Sequence, residues 1–364
     1  MQFNLRLNSL KSYIPEPTRE EIAKRYHLES QEIIMLASNE NPYGFSPKIT
    51  QALSQMTHQI SRYPDDNATD LKEALATHYK IKQENLIIGC GSDEIIDFCI
   101  QAKCHSDSKI LTAGVTFGMY EIYANRVGAR VVRTKSQMHC LEEFLELYKK
   151  EQPEIIFLCL PNNPLGECLD FEDVLAFLKQ INSDTLVVLD GAYQEFARLK
   201  DSRKAIDISR LKIFDNVIYL GTFSKAYGLA GLRIGYGIAS EEIIQALYKV
   251  RAPYNFSHLS ASCAILALQD KEFLQQCVKK ILKSMEEYEL FFKNTEIEFV
   301  PSYANFITFF CKKHLDCSDL ATDFCKNGVL LKSLKTYGMN AVRLTIGTEE
   351  QNKKVFSLLK EKIY

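Results

Sequence analysis

The sequence predicts an α/β fold: a mostly parallel, seven-stranded sheet covered by helices, with a smaller α+β domain after it. Three observations carry that prediction. Short β-rich runs alternate with helical patterns from about residue 86 to 239, and the pattern changes after about Tyr254. The 364 residues also exceed one ordinary domain, and a 46% hydrophobic content supplies a sizeable core.

In chain order the runs are Leu86-Ile87-Ile88-Gly89, Lys109-Ile110-Leu111, Arg130-Val131-Val132, Ile155-Ile156-Phe157-Leu158, Leu186-Val187-Val188-Leu189, Val217-Ile218-Tyr219-Leu220 and Ile234-Gly235-Tyr236-Gly237-Ile238. Helices between them imply a sheet covered on both faces, and in such sheets ligands collect beyond the carboxyl ends of the strands. Past Tyr254, the residues Phe273, Cys277, Ile281, Met285, Tyr288 and Phe292 recur at roughly helical spacing. A long helix is expected there, then short strands at 306–310 and 342–346.

Composition narrows the function. Lys and Arg number 44 and Asp and Glu 46, a net charge of −2 with no long run of either sign. Nucleic acid and anionic membrane are therefore poor candidates as principal partners, and a small molecule is expected. The eleven cysteines are scattered singly, without C-x-x-C pairs, so neither a zinc site nor a secretory disulfide framework is suggested. Met1-Gln2-Phe3-Asn4-Leu5-Arg6 lacks the apolar core of a signal peptide, and no apolar stretch is long enough to span a bilayer. A globular cytoplasmic protein is expected.

Chemistry concentrates in Thr222-Phe223-Ser224-Lys225-Ala226-Tyr227-Gly228-Leu229-Ala230-Gly231-Leu232-Arg233-Ile234-Gly235-Tyr236. A lysine amine condenses with a carbonyl to give a Schiff base, and a Ser hydroxyl with an Arg fork holds a phosphate by charge-assisted hydrogen bonds. On its own, Ser-Lys suits a solvated loop better, since lysines are commonly exposed. Asp190 ends an apolar run, where a carboxylate reaches the carboxyl edge of the sheet or caps a helix. Gly89-Cys90-Gly91-Ser92-Asp93-Glu94 is a strand, glycines and a helix start, an arrangement that turns backbone N–H groups toward an anion. Pro161-Asn162-Asn163-Pro164-Leu165-Gly166 is a turn by composition.

From about Tyr13 to Gly347 these motifs resemble, in order, those of the histidinol-phosphate aminotransferases, a family of fold-type I transferases (class II aminotransferases) that depend on pyridoxal 5'-phosphate. The resemblance implies a large cofactor-binding domain at 31–255, a small domain at 256–364, and an N-terminal arm at 1–30 packing with the small domain. It makes Lys225 the Schiff-base lysine and proton shuttle, Asp190 the partner of the pyridine nitrogen, and Tyr193 and Asn163 donors to the cofactor's 3'-oxygen. Phe117 would stack on the ring. Gly91, Ser92, Asp93, Ser224 and Arg233 would form the phosphate cup, and Tyr63, in Arg62-Tyr63-Pro64, would reach the cofactor phosphate of the neighbouring subunit in a homodimer with shared sites.

At the substrate end the resemblance points to Arg343, Lys332, Tyr13 and Asn39. The implied reaction interconverts L-histidinol phosphate plus 2-oxoglutarate and imidazole acetol phosphate plus L-glutamate, a step of histidine biosynthesis. Four positions depart from the family pattern: Leu165 replaces Thr, Lys332 replaces an Arg, Glu16 replaces a Gly, and Gly191 replaces a Glu. An aromatic amino-acid aminotransferase, a related decarboxylase of phosphorylated substrates and a non-catalytic sensor are the alternative readings.

Overall fold

The computed structural model describes residues 14–363. Thirteen strands are described in three sheets: β1 (Ile34–Met35), β2 (Leu86–Gly89), β3 (Lys109–Thr112), β4 (Arg130–Arg133), β5 (Ile155–Cys159), β6 (Leu186–Asp190), β7 (Val217–Thr222), β8 (Gly235–Ile238), β9 (Phe299–Val300), β10 (Phe306–Phe310), β11 (Val329–Leu330), β12 (Lys332–Ser333) and β13 (Ala341–Thr345).

The seven expected strands form one sheet in the order β2-β8-β7-β6-β5-β3-β4. All its pairings are parallel except those of β8, which runs antiparallel to both β2 and β7. Alternate residues of the same strands face two cores. Ile156, Leu158, Val187, Leu189 and Val217 join one, while Ile155, Phe157, Leu186, Val188 and Ile218 join the other. This is why the strands read as continuous apolar runs, since both faces are covered by helices and each buried side chain is worth about 1.5–3 kcal/mol.

The long helix spans Lys271–Asn294 and buries Cys277, Ile281, Met285, Tyr288 and Phe292. Ile281, Met285, Tyr288 and Phe292 pack with the antiparallel sheet β12-β13-β10-β9 in a separate core. Helix His258–Gln269 contributes Cys263, Ala264 and Ala267 to the large sheet's core, so the change of core falls near Asp270. At the other end β1 pairs in parallel with β11, and Ile33 and Ala37 pack with Cys325 and Leu330, which carries the arm's attachment to about residue 37.

Two departures from the family pattern are answered by packing. Leu165 is buried among Val115, Val300, Leu334 and Met339, where an apolar side chain is favoured. A Cβ on Gly191 would lie 2.3 Å from the Tyr219 ring, so the ring fills the space of the missing side chain. That contact supports the segment leading to Tyr193.

Candidate active site

One edge of the large sheet collects the polar groups. Asp190 ends β6 in register with Cys159 of β5, and Ser224 and Lys225 follow β7. Because β8 is antiparallel to β7, with Thr222 opposite Gly235, the intervening loop returns Arg233 to the edge that carries Lys225.

Lys225 Nζ donates to the Ser38 carbonyl at 3.0 Å and lies 5.9 Å from the centre of the Tyr193 ring. Desolvation, reinforced by the charge of Arg343, brings its pKa down to about 8. Asp190 is buried. Its Oδ2 accepts from the Tyr120 hydroxyl at 2.7 Å and its Oδ1 from the Ala192 N–H at 3.1 Å. Burial pushes the carboxyl up from its ordinary range while the Tyr120 and Ala192 donors act in the opposite sense. Capping is not its role, since the following helix, Gln194–Lys200, starts from Tyr193.

The Tyr193 hydroxyl accepts from Asn39 Nδ2 at 2.9 Å and from Asn163 Nδ2 at 3.3 Å. Burial raises its phenol pKa. Arg343 sets the Asn163 amide: Nη1 donates to Oδ1 at 2.6 Å, which leaves Nδ2 for Tyr193. The same guanidinium donates to the Ala37 carbonyl and lies over the Phe306 ring. Asn39, in the left-handed region at φ 56°, donates its N–H to Thr345 Oγ1 at 3.0 Å and accepts the Thr345 hydroxyl at Oδ1. Asparagine is among the few side chains that favour that backbone region.

Beside this cluster, helix Gly91–Lys103 begins with no side-chain cap, and its first N–H groups lack intrahelical partners. Gly91 has φ +79°, and a Cβ there would come within 2.8 Å of Arg233 Nη2. A Cβ on Gly235 would lie 2.3 Å from the Ser92 nitrogen. Arg233 Nη1 donates to the buried Ser224 hydroxyl at 3.4 Å, from a backbone at φ 49°. The Asp93 carboxylate accepts the Tyr123 hydroxyl at 2.6 Å, so its backbone is what Asp93 can offer an anion. Phe117 packs edge-on to Tyr120 at 5.6 Å, which ties the expected stacking position to the Asp190 donor.

These residues fit a phosphate-bearing aldehyde cofactor. A cradle that a Cβ would fill is bounded by an uncapped helix start and a guanidinium, a partly neutral amine stands near it, and a buried carboxylate holds two donors. Of the expected residues, Lys225, Asp190, Tyr193, Asn163, Asn39 and Arg343 lie in one cluster, and Gly91, Ser92, Ser224 and Arg233 lie together beside it. Tyr63 is instead 81% exposed and stacks on Tyr254, with ring centres 4.5 Å apart. Lys332 forms an ion pair with Glu16. Tyr13 lies outside the described residues.

Sequence reasoning missed Tyr120, the Ser38 carbonyl, Thr345 and the frame behind Asn163. In that frame Asn162 Nδ2 donates to Glu167 Oε1 at 2.7 Å, His139 Nδ1 lies 3.1 Å from the same oxygen, and the Thr116 hydroxyl donates to Asn162 Oδ1 at 2.8 Å. The Cys159 N–H donates to His139 Nε2 at 3.3 Å, which leaves the Nδ1 proton for Glu167. Only Tyr120 had a local signal, its place one helical turn after Phe117.

The fold and site define a transferase of the aminotransferase type, and the chain belongs to the class I and II aminotransferases, whose family model matches residues 31–359. It is 48% identical to the histidinol-phosphate aminotransferase of Wolinella succinogenes across all of both chains. Identity to the Aliarcobacter butzleri protein of the same name is 50%, over 99% of each. The crystal structure of histidinol-phosphate aminotransferase from Sinorhizobium meliloti in complex with pyridoxal 5'-phosphate has a TM-score of 0.87 to this chain at 26% identity, covering all of this chain and 96% of that one.

Proposed function

We propose that this chain is a pyridoxal-phosphate-dependent aminotransferase that interconverts L-histidinol phosphate plus 2-oxoglutarate and imidazole acetol phosphate plus L-glutamate in histidine biosynthesis. The observation that carries the chemistry is Lys225, with its pKa brought down to about 8 beside Tyr193 and Arg343 and on the sheet edge of Asp190. Full-length identity near one half to proteins of that name supports the substrate.

When bound, the cofactor supplies an aldehyde that takes the amino group and a ring that accepts electrons from the substrate's Cα. Lys225 serves as the amine that holds it between turnovers, and once released, as the base and acid that moves the Cα proton. Asp190 holds a proton on the ring nitrogen, and Tyr120 and the Ala192 N–H orient the carboxylate. Asn163 and Tyr193 would hold the 3'-oxygen. The Gly91–Asp93 backbone, Ser224 and Arg233 would hold the phosphate, and Phe117 would stack on the ring. Arg343 pairs with a substrate anion through a planar fork suited to two oxygens.

The working unit under this reading is a cytoplasmic homodimer in which Tyr63 of one protomer reaches the cofactor phosphate of the other. Ile60 and Tyr63 are exposed apolar side chains, 66% and 81%, that a second copy would cover. Among the described residues no helix is long and apolar enough to cross a membrane. The deciding experiment adds L-histidinol phosphate, then 2-oxoglutarate, to the yellow holoenzyme and follows the cofactor's absorption. Bleaching by the amine and recovery with the oxoacid are expected. A response to phenylalanine with none to L-histidinol phosphate would overturn the substrate.

A further inference from the structure

We propose that Glu16 is a specificity-determining residue, a displaceable counter-ion that neutralises Lys332 until the phosphate of the substrate takes its place. Lys332 and Arg343 are direct cross-strand partners in the β12–β13 pair, so their side chains leave the sheet on the same face. Two cations placed opposite each other repel, and each has an oxygen supplied to it. Arg343 donates to two neutral oxygens, the Asn163 amide and the Ala37 carbonyl. The oxygen on Lys332 is the Glu16 carboxylate, which cancels its charge.

The two arrangements differ in how readily they exchange. Arg343 is 8% exposed, whereas the Lys332 and Glu16 side chains are 30% and 25% exposed. A pair this wet holds by little, so a competing anion can replace one member. Glu16 also comes from a segment ahead of helix Arg19–Tyr26, beside Ile14 at 83% exposure, rather than from the sheet that carries Lys332. A phosphate brings more charge and more acceptor oxygens than one carboxylate, and so displaces it. An uncharged tail leaves the pair intact and meets a neutral surface. Two departures from the family pattern, Glu16 and Lys332, thus act as one device.

The inference rests on the substrate reading only for the identity of the phosphate, and its test does not require turnover. Inorganic phosphate is titrated calorimetrically into cofactor-loaded wild type, Glu16→Gln, Lys332→Met and the double variant. Glu16→Gln is expected to bind phosphate up to about fivefold more tightly than wild type. In the Lys332→Met background the same change is expected to have no effect. Unchanged or weaker binding in Glu16→Gln would show that Glu16 merely props Lys332, and equal tightening with Lys332→Met present would show that it acts through its field. Either result overturns the proposal. Failure of the wild type to react with L-histidinol phosphate would refute the substrate reading, while these affinities would still decide the role of Glu16.

Discussion

The two ends of the candidate site are built differently. At the proposed cofactor end, Asp190, Tyr193 and Ser224 are buried on or beside strand termini of the large sheet, and their partners are hydroxyls, amides, backbone groups and the Arg233 guanidinium. At the substrate end Arg343 is equally fixed, but Lys332 meets a carboxylate from a distant segment and both are partly wet. The difference separates two tasks. Under the proposed reading, groups common to every amine substrate sit among buried partners, and the group that distinguishes one substrate from another sits where its partner is partly wet.

The largest test of that division is Lys225→Ala, which should lower turnover by at least about 10³-fold while the thermal unfolding midpoint stays close to wild type. Near-normal activity would remove the cofactor end from the argument altogether. Arg343→Lys keeps the charge and loses the fork, so kcat/KM should fall by about 10²-fold with the spectrum of bound cofactor little altered. A large spectral change would mean that the two ends are not separable, because Arg343 also sets the Asn163 amide.

The pH dependence sharpens the cofactor end alone. Only the neutral amine of Lys225 reacts with an aldehyde, so capture of pyridoxal phosphate by cofactor-free protein should quicken about tenfold per pH unit below about 8 and level off above it. Stopped-flow absorbance measures this. Between about 8 and the ordinary 10.5 the unfolded chain carries a proton that the folded one has lost, so stability of the cofactor-free protein should rise across that window. Lys225→Met should lack the rise. The smallest expected effect on catalysis belongs to Gly191→Ala, whose methyl would meet the Tyr219 ring and should cost about 1–3 kcal/mol in denaturant unfolding. Adding Tyr219→Leu should recover part of that loss.

The seven large-sheet strands were legible because burial on both faces makes them continuously apolar, and Asp190 was legible because it breaks such a run at its carboxyl end. Lys225, Arg233 and the Gly91 turn drew attention only through the ordered family resemblance, because a Ser-Lys pair or a Gly-rich turn is common in solvated loops. The reversed direction of β8 was not, since Gly235-Tyr236-Gly237-Ile238 reads the same either way. Nor was the loyalty of helix His258–Gln269 to the large core, which depends on contacts with elements far back in the chain. The pairing of Glu16 with Lys332 was hidden for the same reason, and Tyr120 had only its place one turn after Phe117 to mark it, with no local sign of Asp190.

The pairing of Thr222 with Gly235 has a consequence for how this chain tolerates change in length. Residues 223–234, which hold Ser224, Lys225 and Arg233, leave and re-enter the same sheet through a fixed register. One residue inserted or deleted there would slide β8 by a step against β7, turning each of its side chains to the opposite face, or would move Arg233 off the cup. A deletion and insertion scan should therefore find this loop as rigid in length as it is in composition, although it is a loop and most loops accept both.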